Sequence, residues 1–370
     1  MKVLYVTTIS NTINAFLIPH IQIILDKGHQ VDIACNVISP IKPQLLEKGC
    51  RVFDIGFQRS PLKKDNFIAY KELKELIQKE KYDVVHTHTP NASACVRLVS
   101  RKMTNLKVIY TAHGFHFYEG APLKNWLIYY LVERLLARYT DVIITMNKED
   151  YALAKKSFKA GRVEYIPGVG LDTGKFKEVV IDRAQKRKEL DVPIDAVLLL
   201  SVGELNENKN HESVIKAVAE MDNPDIYYII CGTGGLEEHL KELAMSLGVS
   251  EQVKLLGYRN DISEILKAAD LFVFPSYREG LSVSLMEAMA AGLPCVVSRI
   301  RGNVDLIEES KGGYLVDPGD INGFVMSILK LIDHPELRRE MRNYNLVKVE
   351  NFDLASVIVE MQRIYGKEIT

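Results

Sequence analysis

Two doubly wound parallel α/β sheets in tandem are the fold class this sequence predicts. Three observations lead there. Short β-branched runs alternate with longer helical stretches throughout, which is the pattern of strand–helix–strand units in a parallel sheet. That alternation pauses once, at "VEYIPGVGLDTGKF" (163–176), and then begins again. The chain has 370 residues, more than one core usually organises.

The elements follow in order. "KVLYVTT" (2–8) reads as the first strand, and "AFLIPHIQIILDKGH" (15–29) as a helix ended by Gly28. "QVDIACN" (30–36) and "CRVFDIGF" (50–57) are the next strands, and "FIAYKELKELIQKEKY" (67–82) the next helix. "DVVHTHT", "ASACVRLVSRKM", "KVIYTAHG", a long helix near 123–138 and "DVIITMN" complete the first half. The second half alternates in the same way. "VLLLSVGEL" leads to "HESVIKAVAEM", and "IYYIICGTG" to "LEEHLKELAMSLG". "VKLLGY", "ISEILKAA", "LFVFPS", "SVSLMEAMAAG", "PCVVS" and "GYLVD" continue it. "INGFVMSILKLI" and "PELRREMRNYNLVKVEN" close it as helices. The expected division is 1–168, 169–350, and a last helix over 351–370 that returns to the first domain.

Composition narrows the function classes. Apolar residues make up 47% of the chain, which suits a packed globule and argues against disorder. No run of about 18 uncharged apolar residues occurs, so no membrane span is expected, and "MKVLYVTTISNT" lacks the apolar core of a signal peptide. Cys35, Cys50, Cys95, Cys231 and Cys295 are scattered, without metal-ligand or disulfide spacing. They read as small buried hydrophobes in a reducing cytoplasm. Net charge is −1 but uneven: residues 1–165 hold 24 basic and 15 acidic residues (+9), and residues 166–370 hold 23 and 33 (−10). The first half is thus suited to an anionic surface or substrate, or is simply a basic solvated surface. The basic residues are dispersed and no binding motif accompanies them, so nucleic acid is not the expected partner.

In doubly wound sheets, ligands bind beyond the carboxyl ends of the strands, so the residues just after strands are the site candidates. In "LLLSVGELNENKN", Gly203 turns the chain and Lys209 precedes a helix, an arrangement that suits a diphosphate. "CGTGG" places Gly232 and Gly234 after a strand, where a nucleotide can approach the backbone; a plain strand-to-helix turn reads equally well. Neither stretch completes a Walker or dinucleotide motif. "GYRNDI" offers Tyr258 and Arg259 to a base. "REGLSVSLMEA" (278–288) puts Glu279 in the turn, Gly280, Leu281 and Ser282 at a helix start, and Glu287 about 12 Å further along the axis. A long ligand such as a nucleotide sugar would span the two glutamates; alternatively, Ser284 and Glu287 form a capping box.

Taken together and in this order, "SVGELNENKN", "CGTG", "GYRNDI", "FPSYREGLSVSLMEAMAAGLPCV" and "GGYLVDPGD" resemble the retaining glycosyltransferases of family 4, which have the GT-B fold. The resemblance covers nearly the whole chain and is strongest over 198–320. It implies two Rossmann-like domains facing across a cleft. By matching positions, it implies that Glu279 binds donor-sugar hydroxyls, Glu287 holds the ribose, and Lys209 neutralises the diphosphate. Gly203, Gly232, Gly234, Gly280, Leu281 and Ser282 would line the donor, and Tyr258 and Arg259 would border the base. His113, in "TAHGF", matches a histidine that faces the donor sugar from the first domain. Glu204 departs from the pattern, because the family usually has an arginine there. The glycine-rich turn common after the first strand is also missing from "TTISNTINAFLIPH".

"FLIPH", "FQRSPL", "TAHGFHFYEGAPLKNW" and "NKED" look most like transferases of bacterial exopolysaccharide and capsule assembly. Asn14, Arg59 and His116 in those neighbourhoods are the acceptor-side candidates; without that context His116, like His86 and His88, reads as structural. The resemblance implies retention at the anomeric carbon, a UDP-sugar donor carrying a hexose or N-acetylhexosamine, and a lipid-diphosphate-linked saccharide as acceptor. No Asp-x-Asp metal site stands at a suitable place, so no metal or cofactor is expected, and Lys209 with a helix start would take over the role of Mg²⁺. The helix "APLKNWLIYYLVERLLARY" reads as a core connector from its place between strands; its aromatics and basic residues also suit a membrane interface. The expected location is the cytoplasm, with peripheral contact at the inner face of the membrane. Two other readings fit the same architecture: a nucleotide-sugar 2-epimerase, and a non-catalytic nucleotide-binding paralogue, which Glu204 keeps open.

Overall fold

A computed structural model describes the whole chain apart from Arg59, Pro61, Leu62 and Thr370. It divides into two compact units, Met1–Gly170 with Ala355–Thr370, and Leu171–Leu354.

The first unit is built on seven parallel strands: β1 Lys2–Ile9, β2 Gln30–Asn36, β3 Arg51–Asp54, β4 Val84–His88, β5 Lys107–Ala112, β6 Val142–Thr145 and β7 Arg162–Tyr165. Their order is β3-β2-β1-β4-β5-β6-β7. The direction of winding reverses between β1 and β4, so the loops after these neighbours diverge and leave a crevice at the strand ends. β1 and β4 are buried on both faces over almost their full length, as expected for central parallel strands, and polar residues they carry, Thr7, His86, Thr87 and His88 among them, are buried too. β7 was not expected from sequence, because all four of its residues are only half-buried and little alternation marks it. It is an edge strand, fastened by Arg162 to Glu368 at 3.1 Å and by Glu164 to Arg363 at 2.9 Å.

The first helix also differs from expectation. The chain turns helical at Ser10, passes through a π turn at Ile13–Leu17, and becomes a regular helix over Ile18–Asp26. Pro19 sits in the first turn of the regular segment, where its missing N–H costs nothing. The last helix, Leu354–Glu368, buries Val357, Met361, Ile364 and Tyr365 in the core of this first unit. Tyr365 Oη lies 2.8 Å from His86 Nδ1 and within hydrogen-bond reach of Tyr5 Oη.

The second unit has six parallel strands: β8 Val197–Val202, β9 Ile226–Cys231, β10 Val253–Leu255, β11 Leu271–Phe274, β12 Cys295–Ser298 and β13 Gly313–Val316. Their order is β10-β9-β8-β11-β12-β13. Here the reversal lies between β8 and β11, which pair through Leu271 with Leu199 and Phe272 with Leu200. Apolar clusters cover both sheet faces. The loops after β8 and β11 are therefore neighbours, although about seventy residues separate them in sequence.

Candidate active site

The loop after β8 holds its own shape. Asn206 accepts a hydrogen bond from Lys209 N at 3.1 Å, which caps a 3₁₀ turn over Glu207–Lys209. Hydrogen bonds then join it to the loop after β11. Tyr277 N donates to Asn208 O at 2.8 Å, Asn208 Nδ2 to Arg278 O at 3.0 Å, and Asn210 Nδ2 to Pro275 O at 3.1 Å. This lacing brings Lys209 Nζ to 2.7 Å from Glu279 Oε1, both side chains being largely buried. The ammonium also stands 4.6 Å over the Phe274 ring. The lysine stem crosses Gly203, where an added Cβ would come within 3.2 Å of Lys209 Cε.

Two other glycines are fixed by close backbone approach. A Cβ on Gly232 would lie 1.8 Å from Gly203 O, and one on Gly234 would lie 2.3 Å from Leu205 O. Gly203 N donates to Cys231 O and Leu205 N to Thr233 O, each at 3.0 Å. The "VGEL" and "CGTG" turns thus form one platform, and glycine is required at 232 and 234 for steric reasons.

The helix after β11 runs Val283–Ala290. Its N-cap is Ser282, whose Oγ accepts from Leu285 N at 3.3 Å, so the capping box expected of Ser284 and Glu287 does not form. The reason is register: the cap is Ser282, two residues before the Ser284 that such a box would use, which leaves Glu287 in the second turn. The amides of Gly280, Leu281, Ser282, Val283 and Ser284 have no acceptor among the described residues, and such a run at a helix start favours an anion. Gly292, at φ +82°, ends the helix in a Schellman motif with Gly292 N to Met289 O and Leu293 N to Ala288 O, each 2.9 Å.

The Glu287 side chain has no hydrogen-bond or ion-pair partner among the described residues. Burial pushes its carboxyl up to about 7, against the smaller pull of Lys175. The half-buried carboxyl is thus free to take hydrogen bonds from a bound ligand. Tyr258 is 77% exposed, with its ring accessible. The Arg259 fork, by contrast, is taken up by Asp261 at 2.8 and 2.6 Å, so what Arg259 can offer a base is its planar face. The Glu204 side chain is exposed and makes no ion pair among the described residues.

Arg301 was not anticipated. It is buried, and its Nε donates to Glu279 O at 3.2 Å. Next to it Gly302 adopts φ +82°, and a Cβ there would lie 2.3 Å from Gly280 O. The signal was present in "SRIRGN" after β12, but only tertiary packing shows that this loop lies against the glutamate.

In the first unit, His113 Nε2 lies 3.0 Å from His88 Nδ1. Burial lowers the His113 imidazole to about 4, so it is neutral at physiological pH. His116 stacks beside Tyr129 at 4.8 Å, and its carbonyl accepts from Asn125 Nδ2 at 2.7 Å. The Asn14 amide bridges Pro40 O at 2.8 Å and Lys42 N at 3.1 Å, so it braces the loop after β2. Arg59 lies outside the described residues. The 123–138 connector is core on one side only: Trp126, Tyr129 and Tyr130 turn inward, as do Leu136 and Ala137, while Leu123, Leu127, Ile128, Leu131, Val132 and Leu135 are exposed. Among the described residues, no group of three or more His, Cys, Asp or Glu is placed to hold a metal ion, and no helix is long and apolar enough to cross a membrane.

Comparison with known proteins agrees with this layout. Residues 182–346 match the family described as glycosyl transferases group 1, and residues 2–147 match the glycosyl transferase 4-like family. The putative glycosyltransferase EpsD of Bacillus subtilis (strain 168) is 36% identical over 99% of this chain and 96% of its own length. The UDP-Gal:alpha-D-GlcNAc-diphosphoundecaprenol alpha-1,3-galactosyltransferase of Escherichia coli is 29% identical over 93% of this chain and 90% of its own. Anabaena HepE, solved in complex with UDP and glucose, is alike in fold: the TM-score is 0.82 at 19% identity, over 99% of this chain and 100% of that one.

Proposed function

The chain belongs to the glycosyltransferases, with the GT-B fold, and on that premise we propose that it moves a hexose or N-acetylhexosamine from a UDP-sugar to a lipid-diphosphate-linked saccharide, with retention and without a metal ion. The observation that carries this reading is the Lys209–Glu279 pair, 2.7 Å apart at the sheet's reversal point and next to five unpaired amides. In the reaction, the bond from the anomeric carbon to the β-phosphate oxygen breaks and the acceptor oxygen bonds to that carbon on the same face. The acceptor's proton passes to the departing UDP. Negative charge grows on the diphosphate, and Lys209, the amides of 280–284 and the buried Arg301 are fixed in advance to meet it. Arg301 thus supplies the positive charge that Glu204 does not.

Glu279 is assigned to the hydroxyls of the transferred sugar and Glu287 to the ribose, whose hydroxyls would satisfy a carboxylate that now lacks donors. His113, kept neutral, is assigned a hydrogen bond to the sugar rather than a cationic role. The acceptor class is supported by the E. coli relative, whose name gives a GlcNAc-diphosphoundecaprenol acceptor. The UDP assignment is supported by HepE, which holds UDP and glucose. The expected place of action is the cytoplasmic face of the membrane. The test is binding and hydrolysis of a panel of UDP- and GDP-sugars by the wild type, Lys209→Ala and Glu279→Ala. One UDP-sugar should be selected, and both variants should lose it. A folded wild-type protein that binds no nucleotide sugar would rule the reading out.

A further inference from the structure

We propose that the helix over residues 123–138 is a docking surface for an anionic lipid membrane, lying flat on it with its outer face in the headgroup region. The helix is turned the opposite way from an ordinary surface helix. Leu123, Leu127, Ile128, Leu131, Val132 and Leu135 are between 46% and 80% exposed. They recur every three to four residues and so form one stripe. A soluble surface helix normally points such residues at its core, and a contiguous exposed apolar stripe marks an interaction site.

The helix cannot roll over to hide them, because its inner face is fixed. Trp126 and Tyr130 pack on Phe117 at 5.6 and 5.4 Å between ring centres. Glu133, the helix's one carboxylate, is buried and gripped by both arms of Arg97 at 2.7 and 3.1 Å. Arg97 in turn lies over the Tyr110 ring at 4.2 Å. With Glu133 turned inward, the outer face carries no acidic residue.

Charge decides the kind of partner. Lys124, Arg134 and Arg138 are exposed on the outer face and make no ion pair among the described residues. An apolar stripe flanked by unpaired cations fits the interface of an anionic bilayer, where aliphatic side chains enter the acyl boundary and cations meet lipid phosphates. The basic first half of the sequence adds long-range attraction in the same direction. The inference deepens the lipid-linked-acceptor reading, because an enzyme with such an acceptor must work at the bilayer surface.

The test is cosedimentation of the full chain with vesicles of phosphatidylcholine alone or with phosphatidylglycerol, alongside sedimentation velocity and UDP-sugar binding. The wild type should bind the anionic vesicles at least tenfold more tightly than the neutral ones. Leu127→Glu/Leu131→Glu should lose at least tenfold, and Arg134→Gln/Arg138→Gln should lose severalfold together with much of the salt dependence. UDP-sugar binding should stay unchanged in both. If the leucine variant fails to fold, the arginine variant decides. Absence of wild-type binding to anionic vesicles, or variants that bind like wild type, would overturn the proposal. So would a wild-type dimer that the leucine variant converts to monomer without vesicle binding, since a second copy would then cover the stripe. Vesicle binding without any nucleotide-sugar binding would leave the surface standing and defeat the transferase reading instead.

Discussion

Lys209 Nζ and Glu279 Oε1 lie 2.7 Å apart although seventy residues separate them in the chain. Each stands in the loop that follows one of two paired strands, and three hydrogen bonds lace those loops together. Without a donor, each neutralises the other. A nucleotide sugar would part the pair, giving the lysine a phosphate and the glutamate hydroxyl groups.

Removing either partner should therefore hurt catalysis more than folding. Lys209→Ala is expected to lower kcat by roughly 10²–10³-fold, the usual effect of losing one fixed group that stabilises developing charge. Glu279→Gln keeps the shape and should cost less than Glu279→Ala. Steady-state kinetics with the selected UDP-sugar checks this; a Lys209→Ala enzyme within threefold of wild type would remove the lysine from the mechanism.

Arg301 gives a second catalytic prediction. Arg301→Ala should weaken UDP binding by roughly 10–100-fold, in line with the roughly 1.5–3 kcal/mol of a charge-assisted hydrogen bond. Calorimetric titration with UDP reads it directly. Uridine alone should bind the variant and the wild type equally, because the lost charge serves only the phosphates.

Glu287 predicts a pH effect on stability. Its folded carboxyl, at about 7, lies above the ordinary 4.5 because burial disfavours the charge. The native state therefore holds this proton more tightly than the unfolded chain between those values, and stability falls as pH rises from 4.5 through 7. Glu287→Gln, which has no charge to bury, should be more stable than wild type by on the order of 1–3 kcal/mol at pH 8 and nearly equal at pH 4.5. Urea unfolding at the two pH values tests the sign.

Histidines in the first unit act in the reverse sense. His20, His86, His88 and His113 are all held below the ordinary 6.5, chiefly by burial. The unfolded chain gains protons below 6.5 that the native state refuses, so the first unit should lose stability on acidification from pH 7 to pH 5. Tyr365→Phe, which strips His86 Nδ1 of its partner, should cost about 1–3 kcal/mol at neutral pH. Thermal melts across that range follow both effects, and a flat profile would mean that these imidazoles are hydrated.

Glycines separate close approach from mere flexibility. Gly302→Ala places a methyl 2.3 Å from Gly280 O at a left-handed φ, and should destabilise by about 2 kcal/mol or more while displacing the donor loop. Gly235→Ala meets nothing within 4 Å and should be tolerated. Comparable loss in both variants, by unfolding and UDP binding, would contradict the packing of these turns.

Much of this protein was legible in its sequence. The alternation of apolar runs gave the strand-and-helix order, and turn chemistry after strand ends singled out Gly203, Lys209, Gly232 and Glu279 as candidates, of which the structure sets Lys209 against Glu279. These signals are local: periodicity and turn chemistry act over a few residues, so they survive without knowledge of the partners. The weak edge strand β7 escaped because its half-buried residues carry no alternation. The Ser284–Glu287 capping box was misread because their spacing fits one, whereas Ser282 takes the cap.

Tertiary structure alone decided the rest. It set Lys209 against Glu279, because β8 and β11 become neighbours only when the sheet reverses direction. It brought Arg301 under the glutamate, raised the Glu287 carboxyl by burying it, and tied Arg259 to Asp261. It turned the aromatics of the 123–138 helix inward and Leu123, Leu127, Leu131 and Leu135 outward, since Phe117 and Arg97 hold the inner side. Sequence fixes what each segment prefers by itself; proximity between distant segments, and the burial that comes with it, exist only once the chain has closed those loops.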